Sequence, residues 1–314
     1  MSHSGPALSP PDPFADPAND PYNPLRYIPS NLLTNIVIAL VAAVALAQVY
    51  MTVKYHIKWM LVMTLGCFTF AFGLATRFAF AKHPHSKSIY IVEYLLIVLS
   101  PCAFIAGTYV VLGRLARYLR ADKYLLIRPT RVTLVFVLSD VATFLIQALG
   151  GSIAVSSNKL STVKLGANLF KVGLILQTVS FVIFSILVAT FVVRVYRSKP
   201  RTWAADGDAD KAWHADWRAL LGALGVACAT IMIRSFYRMA ESLQGLHGAL
   251  ATTEWMFYVF DTLPLWLCIA TFTLFWPGRF IPSDDAHVGA ESPKPIRLNE
   301  LTYGPGAGGQ PMNE

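Results

Sequence analysis

The chain has 314 residues, of which 55% are hydrophobic and only 14% charged. That balance excludes an ordinary soluble domain, where about a quarter of residues carry charge. Its net charge of +8 invites a nucleic-acid partner, but the cations sort by loop, and membrane topology accounts for them without an anionic polymer.

Residues 1–26 are polar and broken by proline, and are expected to form a disordered tail. They hold neither a basic region nor an apolar core, so no cleavable leader is expected and the first span acts as the insertion signal. Seven stretches then reach the length of about 18 apolar residues that a bilayer crossing needs: 32–49, 59–80, 90–113, 132–149, 169–193, 219–240 and 255–276. The predicted fold is an all-α integral membrane protein, a seven-transmembrane-helix bundle over residues 27–282. Pro101 and Pro264 fall mid-span, where each frees a carbonyl one turn earlier and predicts a break. Connections are short except 197–218, where Trp203, Trp213 and Trp217 suit the membrane interface and a solvated linker is the other reading. Residues 283–314 are expected to be a second disordered tail. Seven spans do not divide into two equal inverted halves, and no internal repeat is visible.

Seventeen Lys and Arg fall in the segments on one side of the membrane, including Arg114, Arg117, Arg120, Lys123, Arg128, Arg131, Lys199, Arg201, Lys211, Lys294 and Arg297. Five fall on the other: Arg26, Lys82, Lys87, Lys159 and Lys164. The positive-inside rule then predicts an external N-terminus and a cytosolic C-terminus.

Ionisable groups inside spans must face the bundle interior, a wet cavity or a partner. Arg77 near the outer end of span two matches Glu93 at the outer start of span three. Arg234, Arg238 and Glu241 recur at i, i+4 and i+7 on span six, and Glu254, Tyr258 and Asp261 repeat that spacing on span seven. Depth pairs Arg234 with Asp261 and Arg238 with Glu254. Asp140 is deeper, near the bilayer centre, with Gln147 at i+7 and Gln177 on span five. The cytosolic half is expected to be almost purely apolar. These residues are read either as lining a hydrated pocket open to the outside or as interhelical salt bridges with no ligand. Lys171 is read as an interface anchor, His83 and His85 as ordinary loop histidines, and Cys67, Cys102, Cys228 and Cys268 as small apolar residues. No phosphate loop, HExxH or GxSxG motif occurs, which argues against ATP-driven transport within this chain and against the commoner hydrolases. No enzyme activity, cofactor or metal site is expected.

Several stretches resemble the fungal seven-span RTA-like proteins, often called lipid-translocating exporters. They are "YIPSNLLTN" from Tyr27, "SPCAFIAGTYVVLGR" with Pro101 and Tyr109, "VFVLSDVATFLIQALGG" with Asp140 and Gln147, and "VGLILQTVSFVIF" with Gln177. The most distinctive is "IRSFYRMAESLQG" with "EWMFYVFDTLPLW" and "WPG", carrying Arg234, Tyr237, Arg238, Glu241, Glu254, Tyr258 and Asp261. Phe70 and Leu74 depart from the family tendency to an acid and a tyrosine beside Gly73 and Arg77. Glu93 stands where glutamine is more frequent, a rewiring of the acid that serves Arg77. The resemblance implies movement of, or resistance to, amphipathic lipids such as sphingoid long-chain bases, at the plasma membrane. The alternative is a seven-span lipid or stress sensor that moves nothing.

Overall fold

The computed structural model describes residues 14–20, 22–119, 125, 129–157, 159–198, 217–245 and 248–281. Most of both expected tails, Trp203 and Trp213, and the loop cations Arg120, Lys123, Arg128, Lys199, Arg201, Lys211, Lys294 and Arg297 lie outside the described residues.

Every regular element among the described residues is helical, and seven helices have membrane-crossing length and composition. They are α1 (Asn31–Tyr55), α2 (Leu61–Lys82), α3 (Lys87–Tyr118), α4 (Pro129–Ser156), α5 (Leu160–Ser198), α6 (Trp217–Gln244) and α7 (Glu254–Arg279). All but α2, which matches its stretch at 22 residues, are longer than the apolar stretches that announced them. A helix satisfies its own backbone polar groups, so it continues past the hydrocarbon into charged flanks. The extreme is α5, whose 39 residues extend about 58 Å, roughly twice the hydrocarbon thickness.

Leu65, Phe72, Leu145, Val179, Ile186 and Leu274 are all exposed, an apolar surface that suits lipid. The core runs through Phe104, Tyr109, Phe181, Phe184, Phe191, Leu220, Leu224, Phe272 and Trp276. Trp217, one of the three tryptophans read as suited to the interface, is buried as the first residue of α6. The most extensive helix contact is α4 on α5, and three glycines set its closeness. A Cβ at Gly150 would lie 2.5 Å from the Phe170 nitrogen, one at Gly166 2.6 Å from the Ala154 nitrogen, and one at Gly173 2.7 Å from Gln147 Cγ. Small residues let helices approach at backbone distance in a membrane, where packing rather than hydrophobic expulsion drives association.

The two prolines act differently from the expected breaks. Pro101 lies inside an uninterrupted α3. The carbonyl it frees, that of Ile97, accepts from Arg234 Nη2 at 3.5 Å. Pro264 follows a π-helical turn, Phe257–Thr262, that joins Glu254–Met256 to the α-helix Leu263–Leu274. The Leu263 N–H reaches back five residues to the Tyr258 carbonyl. The wider turn takes up the clash a proline ring makes with the carbonyl four residues before it.

Candidate functional site

The π turn decides how α7 meets α6. Arg238 grips Asp261 side-on, with Nε donating to Oδ1 and Nη2 donating to Oδ2 at 2.9 Å. Arg234 Nε lies 3.0 Å from the same Oδ1, an ion-pair contact. Arg238 Nη1 donates to Glu241 Oε2 at 3.0 Å. The expected pairing of Arg234 with Asp261 is present. The expected pairing of Arg238 with Glu254 is not, because the π turn brings Asp261 against both arginines. Glu254, at the helix start, accepts from the Ser30 N–H at 2.7 Å instead.

Arg77 is 1% exposed and lies 3.5 Å from Glu93, the expected match. Phe70, a departure from the resemblance, packs edge-on against Phe104 in the apolar core, and the acid facing Arg77 is Glu93 of α3. The guanidinium of Arg77 also sits over Phe257 at 4.4 Å and Tyr258 at 5.3 Å. Arg238 lies 5.6 Å from the centre of the same Phe257 ring. Tyr258 shares a hydrogen bond with Thr34 on α1 at 2.9 Å. Desolvated cations over ring faces gain about 2 kcal/mol each, which helps explain why charge persists here.

The N-terminal segment covers this end of the bundle. Residues 22–30 form turns organised by Asn23, whose Oδ1 accepts from the Leu25 and Arg26 N–H groups. Asp20, buried, meets His85 at 2.6 Å. Tyr27 accepts from Arg77 Nη2 at 2.7 Å. Burial pushes its phenol up to about 12, so it remains neutral and adds no charge to the site.

Beneath the cover lie two adjoining cavities. The larger, about 200 Å³, is walled by Pro24, Leu25, Tyr90, Tyr94, Gly151, Ala154, Phe170 and Lys171, with Arg238 and Glu241 among its polar members. The smaller, about 50 Å³, is lined by Tyr27, Arg77, Glu93, Ile97 and Phe257. Leu25, Tyr90, Tyr94, Arg238, Glu241 and Ala251 line both. Of the residues singled out from the sequence, Arg77, Glu93, Arg238 and Glu241 therefore reach a cavity, and Arg234, Tyr258 and Asp261 hold them in place. Tyr237 instead donates to the Leu250 carbonyl at 3.0 Å, tying the connection before α7. Lys171, read as an anchor, is on the cavity wall. The aromatic wall of Tyr90, Tyr94 and Phe170 carried no sequence signal, since tyrosines and phenylalanines abound throughout the chain.

Asp140, Gln147 and Gln177 form a separate group on α4 and α5, outside the lining of either cavity. Asp140 accepts from the Tyr109 hydroxyl at 2.8 Å. Gln147 donates to Gln177 at 2.7 Å, and Gln177 donates to Cys102 Sγ at 3.5 Å, so Cys102 is a weak acceptor as well as a small apolar residue. At the opposite end of the bundle, fully buried Gln48 donates to the Ile269 carbonyl and to Thr273, and accepts from Thr64. Gln48 is a polar exception in the half expected to be almost purely apolar; one uncharged amide among valines and alanines does not interrupt a hydropathy profile. Among the described residues no group of His, Cys, Asp and Glu is arranged to hold a metal.

Seven membrane-length helices with buried charges gathered at one end define an integral multi-pass membrane protein. The chain belongs to the family described as RTA1 like protein, whose model matches residues 63–284. Among curated relatives it is 32% identical over 213 residues to protein RTA1 of Saccharomyces cerevisiae, covering 68% of this chain and 63% of the relative. It is 30% identical to protoporphyrin uptake protein 1 of the same yeast over 67% of this chain and 65% of the relative. It is 27% identical to the sphingoid long-chain base transporter RSB1 over 65% of this chain and 62% of the relative. The match thus spans less than two thirds of the length of each of these three. They support a membrane transport or lipid-related role at the level of the family. No solved structure matches the chain.

Proposed function

We propose that this protein binds amphipathic lipids or amphiphiles of similar build and carries them across the membrane, with no chemical step and no cofactor. The observation that carries the reading is the junction of the two cavities. A largely aromatic and aliphatic chamber adjoins a charged one, and Tyr90, Tyr94, Arg238 and Glu241 line both. Such a junction suits a molecule with a polar head and an apolar body. The volumes accommodate a headgroup and the first carbons of a chain, so a longer tail remains among the lipids between helices. The names of two relatives, one a sphingoid base transporter and one a protoporphyrin uptake protein, agree with a site that takes amphiphiles. The loop charges orient the cavities toward the outside, with the N-terminus external, the C-terminus cytosolic and the plasma membrane as the compartment.

The test is movement of a fluorescent sphingoid base in vesicles reconstituted with the protein, compared with Ala154→Phe, which places a ring in the larger cavity. Protein-dependent movement that falls by about tenfold in the variant, equivalent to about 1.4 kcal/mol of lost binding, is expected. Binding without movement by folded wild-type protein would favour a sensor over a transporter.

A further inference from the structure

Asp140 stands apart from the charge-balanced cluster above it. It is 2% exposed; one oxygen accepts from Tyr109, and the other has no hydrogen-bond partner among the described residues. The Tyr109 ring is itself enclosed by Phe184 at 4.4 Å and Phe136 at 5.4 Å. The helices packed most extensively on α4 are α3 and α5. From α3 the titratable groups toward Asp140 are Tyr109 and Cys102. On α5, Phe184 packs on Tyr109 and the neutral Gln177 binds Gln147. Its own helix supplies Thr143, whose hydroxyl donates to the Asp140 main-chain carbonyl. Arg234 of α6 is committed to Asp261. A single neutral donor does not offset the cost of a carboxylate anion in the middle of a bilayer; a cation or a proton does.

The same face of α4 leads from this carboxylate to the cavity. Asp140, Thr143, Gln147, Gly151 and Ala154 follow at i, i+3, i+7, i+11 and i+14. Gly151 and Ala154 line the larger chamber. Between them and Asp140, the Gln147 carbonyl oxygen also lacks a hydrogen-bond partner among the described residues.

We propose that Asp140 is a proton-binding site, loaded from the cavity along this face of α4, whose occupancy couples amphiphile movement to a proton gradient. A proton from cavity water bonds to the partnerless oxygen. The side chain passes from anion to neutral acid, while Tyr109 keeps its own proton and continues to donate to the other oxygen. The coupling rests on the transport reading; the proton site does not.

Two measurements separate them. In vesicles holding wild-type protein, the pH-induced infrared difference spectrum is expected to show a carboxylic acid C=O band that is absent from Asp140→Asn and shifted in Tyr109→Phe. In the same vesicles, movement of a fluorescent long-chain quaternary ammonium, which itself binds no proton, is measured with and without an imposed pH difference. A difference of about one unit is expected to raise its accumulation by up to about tenfold, the limit for one proton per molecule moved. The ratio is expected to fall to one in Asp140→Asn. A wild-type spectrum without the band, or with a band that survives in Asp140→Asn, overturns the proton site. Movement indifferent to the gradient overturns the coupling. No movement at all by folded protein defeats the transport reading and leaves the site to be decided by the band. If Asp140→Asn does not fold, the Tyr109→Phe shift decides, and an unshifted band overturns the assignment.

Discussion

Asp261 serves two arginines, so its removal strands more charge than the loss of any other acid in the cluster. Asp261→Asn is expected to destabilise the protein by about 3–5 kcal/mol, the cost of leaving buried cations without their partner. Glu254→Gln, which keeps a side-chain oxygen to accept from Ser30, is expected to cost less than about 1 kcal/mol. Thermal unfolding in detergent measures both, and equal losses would contradict the pairing described here. Glu93→Gln belongs with the first kind: Arg77 would keep Tyr27 and its ring contacts but lose its carboxylate, for about 3 kcal/mol. At this scale the sequence was informative about which residues matter. Charge in a span is costly enough that Arg77, Arg234, Arg238 and Asp261 stood out, and depth alone matched Arg77 with Glu93 and Arg234 with Asp261. Depth paired Arg238 with Glu254 rather than Asp261, because a period of 3.6 does not hold through Phe257–Thr262, where the chain winds more widely. Residues that act by shape, such as Tyr94 and Phe170, or by a lone amide, such as Gln48, offered nothing to count.

Between elements, the α4–α5 contact makes the sharpest prediction. At Gly166 any side chain meets the Ala154 backbone, whereas a Cβ at Gly222 or Gly225 of α6 meets nothing within 4 Å. Gly166→Leu is expected to separate the helices and abolish recovery of monodisperse protein in detergent. Gly222→Leu and Gly225→Leu are expected to elute and unfold like wild type, within about 0.5 kcal/mol. The seven helices themselves were legible, since hydropathy reports what lipid touches. Their ends were less so: the apolar stretch of α5 stops at 193, but backbone bonding carries the helix on to Ser198. Pro101 shows the same limit. Its presence in a span was plain, but only the neighbouring helix shows that the freed Ile97 carbonyl accepts from Arg234, so that a feature read as a break becomes a contact between α3 and α6.

For the whole molecule, the N-terminal segment joins the bundle to the site. It is pinned at Asp20 by His85, at Tyr27 by Arg77 and at Ser30 by Glu254, three points on the α2–α3 connection, α2 and α7. Polar, proline-rich composition gave no hint of this, because the contacts are made one at a time by side chains rather than by an apolar stripe. Leu25 lines both cavities, so the segment forms part of their wall at that end. Deleting residues 1–26 removes the Asp20 latch and the Leu25 wall while leaving Tyr27 and Ser30. In a variant carrying Ala154→Cys with the four native cysteines replaced by alanine, a membrane-impermeant thiol reagent is expected to label the cavity from outside intact cells. The deletion is expected to speed that labelling about tenfold, the change given by about 1.4 kcal/mol of lost closure. Labelling from the cytosolic face alone would reverse the proposed orientation. An unchanged rate from outside would mean that the segment is not the barrier, and that amphiphiles reach Tyr94 and Phe170 sideways from the lipid.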